Sequence, residues 1–243
     1  MTGPVLHDDD CALVNAVNGQ PTACSCTASL GLGTDRSAVP AGPVQDVDED
    51  RKAAQFAVFH DIDLALEGVR ALLRLAGEDP NRPGLLDTPA RYLRAWQEMT
   101  QRPGDPDKLL AVIFDDAGPV DQMVAVGPVA FTSLCEHHLL PFTGHAWVAY
   151  IPQAGVVGLS KIPRLLEHYA RRPQVQERLT EQVAQAIVDR VPCQGVGVLL
   201  RAVHSCASMR GVRAEAPMTT SSLHGAFRDD ERTRQEFLAL ARP

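Results

Sequence analysis

Two short stretches hold the residues best suited to chemistry. Cys135-Glu136-His137-His138 offers a thiol and an imidazole three positions apart, a spacing that lets both reach one ion from a tight turn. His204-Ser205-Cys206 offers two more ligands at i and i+2. On an extended strand those two side chains point to the same face. Thiolate and imidazole are the donors that zinc prefers, arranged as a tetrahedron. With His137 included, five candidate ligands are present. A closed structural site takes four, whereas a catalytic site takes three and keeps the last position open for water. His137 and His138 are neighbours, and adjacent side chains in extended structure diverge, so both are not expected on one ion. At least one histidine is then left beside the metal, with a near-neutral pKa suited to proton transfer. Spacing alone keeps three arrangements open: an open catalytic site, a closed Cys2His2 site, and a Cys135–Cys206 disulfide, which a reducing compartment disfavours.

A second constellation favours anions. Gly158-Leu-Ser-Lys-Ile-Pro-Arg164 is predicted to open a helix. First-turn N–H groups lack intrahelical partners and the helix dipole is positive there, so a phosphate is welcome. Lys161 and Arg164 share a face, and Pro163 is compatible because its missing N–H has no partner in the first turn. Arg210 adds a cation a few residues after Cys206. By themselves Lys161 and Arg164 read better as a solvated helix end. Glu177 lies off the apolar stripe of its own helix, and a carboxylate there can accept two parallel N–H bonds, although most helix-surface Glu residues are simply solvated. No Gly-x-x-x-x-Gly-Lys-Ser/Thr loop occurs, which excludes a P-loop NTPase.

The elements that must position these residues come from the pattern of the whole chain. Its 243 residues suffice for one good core with a tail, and 45% hydrophobic content is ordinary for a globular protein. No apolar run approaches the ~20 residues of a membrane span. Asp8, Asp9 and Asp10 do not read as a secretory signal, so the expectation is a reducing, cytoplasmic setting. The net charge of -7 belongs entirely to residues 1–50, which carry eight acidic residues against Arg36; residues 51–243 hold 22 of each sign. The remainder is therefore not a broadly acidic surface, and a local cluster of Lys and Arg there could still bind a polyanion, with nucleic acid and membrane not expected as partners. Residues 1–55 are read as a disordered acidic tail, with Cys11, Cys24 and Cys26 as incidental thiols.

From about residue 61 the pattern becomes regular. Ile62, Leu66, Val69, Leu72, Leu73 and Ala76 predict a helix that Gly77 and Pro80 end. Thr88-Pro89 reads as an N-cap followed by Pro at N1. Residues 103–119 read as a Pro/Gly/Asp-rich connection. Strands are predicted over 123–131 and 145–151, with the Cys135 stretch as a polar insertion between them. Ser160 is placed to cap a helix running to Tyr169, and Pro173 separates it from one striped by Val175, Leu179, Val183 and Ile187. Strands over 195–204 and 218–221 and a helix over 229–240 complete the chain. This order suggests an α+β fold with an antiparallel sheet.

Taken together these segments resemble GTP cyclohydrolase I. The resemblance is carried by Glu78-Asp-Pro-Asn-Arg82, Asp87-Thr-Pro-Ala-Arg91, Cys135-Glu-His-His138, Val148-Ala-Tyr-Ile-Pro152, Gly158-Leu-Ser-Lys161, Arg171 to Thr180, His204-x-Cys206, Met209-Arg-Gly211 and the Thr219 to Gly225 stretch. It spans roughly residues 60–240. It implies one zinc on Cys135, His138 and Cys206, with His137 and His204 as catalytic histidines. It also implies that Glu177 reads guanine, that Ser160, Lys161, Arg164 and Arg210 contact triphosphate and ribose, and that Gln176, and Arg91 from a neighbouring subunit, join the substrate-binding residues. The implied reaction turns GTP into 7,8-dihydroneopterin triphosphate and formate. The implied fold is the tunnelling fold (T-fold), an antiparallel sheet with two packed helices behind an N-terminal helical region, assembled as a homodecamer of two pentamers. On this scheme residues 56–243 are the cyclohydrolase domain, helical over 56–120 and catalytic over 121–243. The sequence departs from the usual pattern at Pro83, Pro163 and Ala207, none of them an assigned ligand. Two competing readings are a relative on the same fold acting on another substrate, and a zinc-stabilised protein without enzymatic activity.

Overall fold

The structure, a computed structural model, describes residues 47–114, 118 and 120–242. Cys11, Cys24, Cys26 and the tail as far as residue 46 lie outside the described residues. The chain divides after Ala53 into two units, and every strand among the described residues lies in the second, residues 54–243. Helix α1 is Val47–Leu75, longer than its apolar spacing predicts. Its first turns are Ala-rich and charged rather than periodic in apolar residues, so only the part from Ile62 carries the signal. The predicted stop holds. Gly77 adopts φ +82, its N–H donates to the Arg74 carbonyl, and Glu78 N–H donates to the Leu73 carbonyl. That pair of bonds is a Schellman motif, and the left-handed residue is a glycine because any Cβ would be strained there.

Helix α2, Thr88–Thr100, starts one residue earlier than expected. Asp87 is its N-cap and Pro89 lies in its first turn. The Asp87 side chain does not cap it but pairs with Arg91 at 3.4 Å. The stretch 103–119 is more than a connection. It contains α3, Pro106–Leu110, capped by Asp105, and β1, Ile113–Phe114, which pairs with β4, Val156–Val157.

The main sheet contains β2 (Val124–Cys135), β3 (Pro141–Pro152), β5 (Pro173–Gln174), β6 (Cys193–His204) and β7 (Met218–Gly225), in the order β5-β2-β3-β6-β7. All pairings are antiparallel except β2 with β5. Helices α4 (Lys161–Ala170) and α5 (Gln176–Arg190) cover one face. Period-2 alternation sorts the strands. Phe142, Ala146, Val148 and Tyr150 of β3, with Val196, Val198, Leu200 and Ala202 of β6, meet Leu165, Leu166, Leu179, Val183 and Ile187 in one buried core. Each fully buried Leu, Ile or Val contributes about 1.5–3 kcal/mol. The opposite face packs Trp147 and Ala149 against Phe227 of α7 (Ala226–Asp229) and Phe237 of α8 (Glu231–Leu240).

The same alternation aims the reactive side chains. Phe131, Ser133 and Cys135 recur at every second position of β2, and all are buried. His204 continues the series Val196, Val198, Leu200, Ala202 on β6. Both strands therefore deliver their last residue to the helix-covered face. The segment around Cys135 differs from its prediction: β2 runs through Cys135, so only Glu136–Leu140 separates it from β3. Beyond His204 the prediction also changes, since Cys206 sits in a single helical turn, α6 (Ser205–Ser208), and not on the strand.

Candidate metal and histidine site

Cys135 ends β2 and anchors a tight reversal. Its N–H donates to the Leu140 carbonyl at 2.8 Å, and its carbonyl accepts from Leu139 N–H at 2.7 Å. Leu139 takes the left-handed conformation, φ 55, which costs an L-residue about 1–2 kcal/mol. Two contacts from β5 and α5 hold this strained turn. Glu136 N–H donates to the Gln174 carbonyl at 3.0 Å, and the Glu136 carboxylate accepts two bonds from Arg178, at 2.7 and 3.2 Å. The Arg178 guanidinium holds the Glu136 carboxyl below the usual carboxylate range.

Cys206 reaches the same place from the other side of β3. Its sulfur lies 3.8 Å from that of Cys135, and both are free cysteines, so the disulfide is not made. Cys135, Cys206 and His204 bring their ligand atoms within 4.8 Å of one another, a group that can hold a metal ion. Burial, followed by the neighbouring Cys135 sulfur, pushes the Cys206 thiol up, while Arg210 pulls the other way.

His204 is half-buried and closely held. Its ring stacks flat on Phe142, its cross-strand partner, with centroids 4.5 Å apart and planes 3° apart. Its Nε2 is 2.9 Å from Gln176 Oε1. Burial moves it below the usual imidazole range, and the Glu177 carboxylate opposes that shift. The other histidines are looser. His137 and His138 are both exposed, with rings 6.4 Å apart and 70° between planes, the divergence expected of neighbours. His137 Nδ1 is 3.6 Å from the Cys135 sulfur. His138 stands outside the ligand group, with its Nε2 accepting from Arg210 at 3.1 Å. The trio implied by the resemblance and the trio grouped in space thus share both cysteines and differ in the histidine.

The residues expected to contact the substrate make fewer contacts. Ser160 is the N-cap of α4 but forms no side-chain cap bond. Lys161 is half-buried and Arg164 exposed, and neither makes an ion pair among the described residues. One first-turn donor is already engaged, since Lys161 N–H donates to the Gly158 carbonyl at 2.8 Å. Glu177 is exposed in the first turn of α5, between Gln176, which is buried, and Arg178, which is exposed. Among the described residues Arg91 bonds to Gly84, Asp87 and Thr88, beside its own helix start. A cavity of about 1050 Å³ beside β2, lined by Phe131, His145, Trp147, Leu166 and Arg201 among others, includes none of these candidates.

Sequence reasoning missed Phe142, Arg178 and the role of Glu136. The register that pairs Phe142 with His204 could have shown the first, but only once both strands were correctly bounded. Among the described residues no helix is long and apolar enough to cross a membrane.

Known proteins resemble the chain over this same region. The sequence model of the GTP cyclohydrolase I family matches residues 65–242. The GTP cyclohydrolase 1 of Rhodopirellula baltica is 45% identical over 207 residues, covering 82% of this chain and 90% of that protein. That of Campylobacter jejuni is 50% identical over 175 residues, covering 71% and 91%. That of Coxiella burnetii is 47% identical over 177 residues, covering 72% and 95%.

Proposed function

The chain belongs to the GTP cyclohydrolase I family, and we propose that it carries out that family's reaction, hydrolysing GTP to 7,8-dihydroneopterin triphosphate and formate with zinc as its metal. The observation that carries this reading is the meeting of Cys135, Cys206 and His204 at one point, the two cysteines standing 71 positions apart in sequence. The donor set suits zinc. Thiol and imidazole are its ordinary protein ligands. Sulfurs 3.8 Å apart match the edge of a tetrahedron built on Zn–S bonds of about 2.3 Å. A divalent cation between two cysteine sulfurs keeps both as thiolates.

We assign the ligands to Cys135, His138 and Cys206, with His204 and His137 left to move protons. The contrast between the histidines supports this division. His204 is clamped by Phe142 and Gln176, so its ring is not free to swing. His138 stands on an exposed turn and among the described residues its ring bonds only to Arg210, so it can rotate. When bound, zinc acidifies water toward neutrality and so supplies the nucleophile. His204 gives a proton to guanine N7 as C8 is attacked, and His137 moves protons in the hydration that frees formate. Glu177 accepts N–H bonds from the guanine edge, and Gln176 beside it contributes its backbone. Ser160, Lys161, Arg164 and Arg210 hold the triphosphate and ribose, whose binding orients C8. Arg91 serves from a neighbouring subunit. The T-fold, the homodecamer of two pentamers, the domain limits 56–243 and a cytoplasmic location belong to the same proposal.

Incubation with GTP, with and without a chelator, tests it by formate release and by pterin fluorescence after oxidation. Formate that appears only without chelator is the expected result. A zinc-loaded protein that releases no formate overturns the reading in favour of a non-enzymatic relative.

A further inference from the structure

Gln176 is wholly buried at the start of α5. Its amide nitrogen lies 3.2 Å from the Leu200 carbonyl, 3.1 Å from the Met218 carbonyl and 3.1 Å from Thr220 Oγ1. Carbonyl oxygens only accept, so the group facing them is the NH2. Flipping the amide sets oxygen against oxygen in a buried place, with donors left unpaired. The neighbouring hydroxyls agree. Thr180 Oγ1 donates to the Gln176 backbone carbonyl at 2.7 Å. In the 2.6 Å contact between Thr180 and Thr220 the donor is therefore Thr220, which leaves its oxygen to accept from Gln176. Every hydrogen in this ring has one consistent direction.

The same orientation turns Gln176 Oε1 toward His204 Nε2, 2.9 Å away. An amide oxygen cannot donate, so Nε2 must carry a hydrogen. We infer that Gln176 is a positioning residue whose locked side-chain amide fixes His204 as the Nε2–H tautomer, making Nδ1 the nitrogen that exchanges a proton with the substrate. The inference deepens the proposed role of His204 as general acid and rests on it. When doubly protonated His204 gives its Nδ1 proton to guanine N7, the neutral ring left behind is the Nε2–H form that Gln176 holds. Phe142 fixes the plane of that ring. The Gln176 side chain is wholly buried, with its nitrogen and its oxygen both engaged inside the protein, so it is turned away from substrate.

Gln176→Met keeps the length of the side chain and removes the whole network. In the zinc-loaded enzyme the expected result is a fall in kcat of about 100-fold, with the KM for GTP and the zinc content unchanged. A raised KM with kcat retained overturns the inference, because it marks a direct substrate contact. A second measurement uses the wild-type protein and needs no turnover. In enzyme labelled with 15N in its imidazoles, the His204 resonance is identified by its loss in His204→Ala. A protonated Nε2 and an unprotonated Nδ1 in the neutral ring are expected, and the opposite tautomer overturns the inference even if Gln176→Met does not fold. Failure of the cyclohydrolase reading appears separately, as absence of formate from GTP.

Discussion

Cys135, His204 and Gln176 are buried or half-buried, and each is fixed by partners from a different element: the β2–β3 turn, the Phe142 ring on β3, and the β6–β7 carbonyls. Lys161, Arg164 and Arg210 lie nearer the surface, and none forms an ion pair among the described residues. The two ends of the candidate site thus follow different rules. Bond-making groups need fixed geometry, since small misplacements are costly in rate. Cations proposed to bind phosphate need only reach and charge, so the chain can leave Lys161 half-buried and Arg164 exposed at a helix start, and Arg210 exposed beyond α6. The first turn of α5 joins the two regimes. Gln176 reaches inward to His204, Arg178 reaches sideways to Glu136, and Glu177 between them stays exposed.

Substitutions at the fixed end should act on turnover or metal, and those at the exposed end on substrate affinity. The largest effect is expected from Cys206→Ala, which should lose bound zinc, read by metal analysis, and with it all formate release. His204→Ala comes next: zinc is retained and kcat falls by roughly 10²–10⁴-fold. Metal lost together with activity in that variant assigns His204 to the metal instead, in place of His138. Arg178→Leu frees Glu136 and the strained turn, and activity should drop about 10–100-fold, as is usual when a partner behind a ligand is removed. Lys161→Ala should raise the KM for GTP about tenfold, the size of one lost charged hydrogen bond, with kcat little changed. The smallest effect is expected from salt. Raising ionic strength should increase KM gradually through screening of the exposed cations, while kcat in saturating GTP stays level. If kcat proves as salt-sensitive as KM, the distinction between the two ends fails.

Much of this arrangement was legible in the residues. Cys135, His204 and Cys206, which the fold brings together, suggest metal chemistry by type and spacing, whereas Lys161 and Arg164 suggest an anion only in company with the other motifs. The order of helices and strands follows from apolar period, and helix stops follow from Gly77 and Pro173. Boundaries were less readable where period and burial diverge. Polar-looking Thr132 and Ser133 continue β2 because Ser133 is buried and bonded to the Ala170 carbonyl, a long-range partner that no local pattern contains. The start of α1 carries no apolar period at all.

The sequence by itself determined which residue types were available, their spacing, and the family to which the chain belongs. Tertiary structure decided which of those residues meet. The direction of the His204 proton depends on the Leu200 and Met218 carbonyls and the Thr220 hydroxyl, which β6 and β7 bring to Gln176 on α5. Hydrogen-bond direction is a property of several groups together, and those groups become neighbours only when the chain has folded.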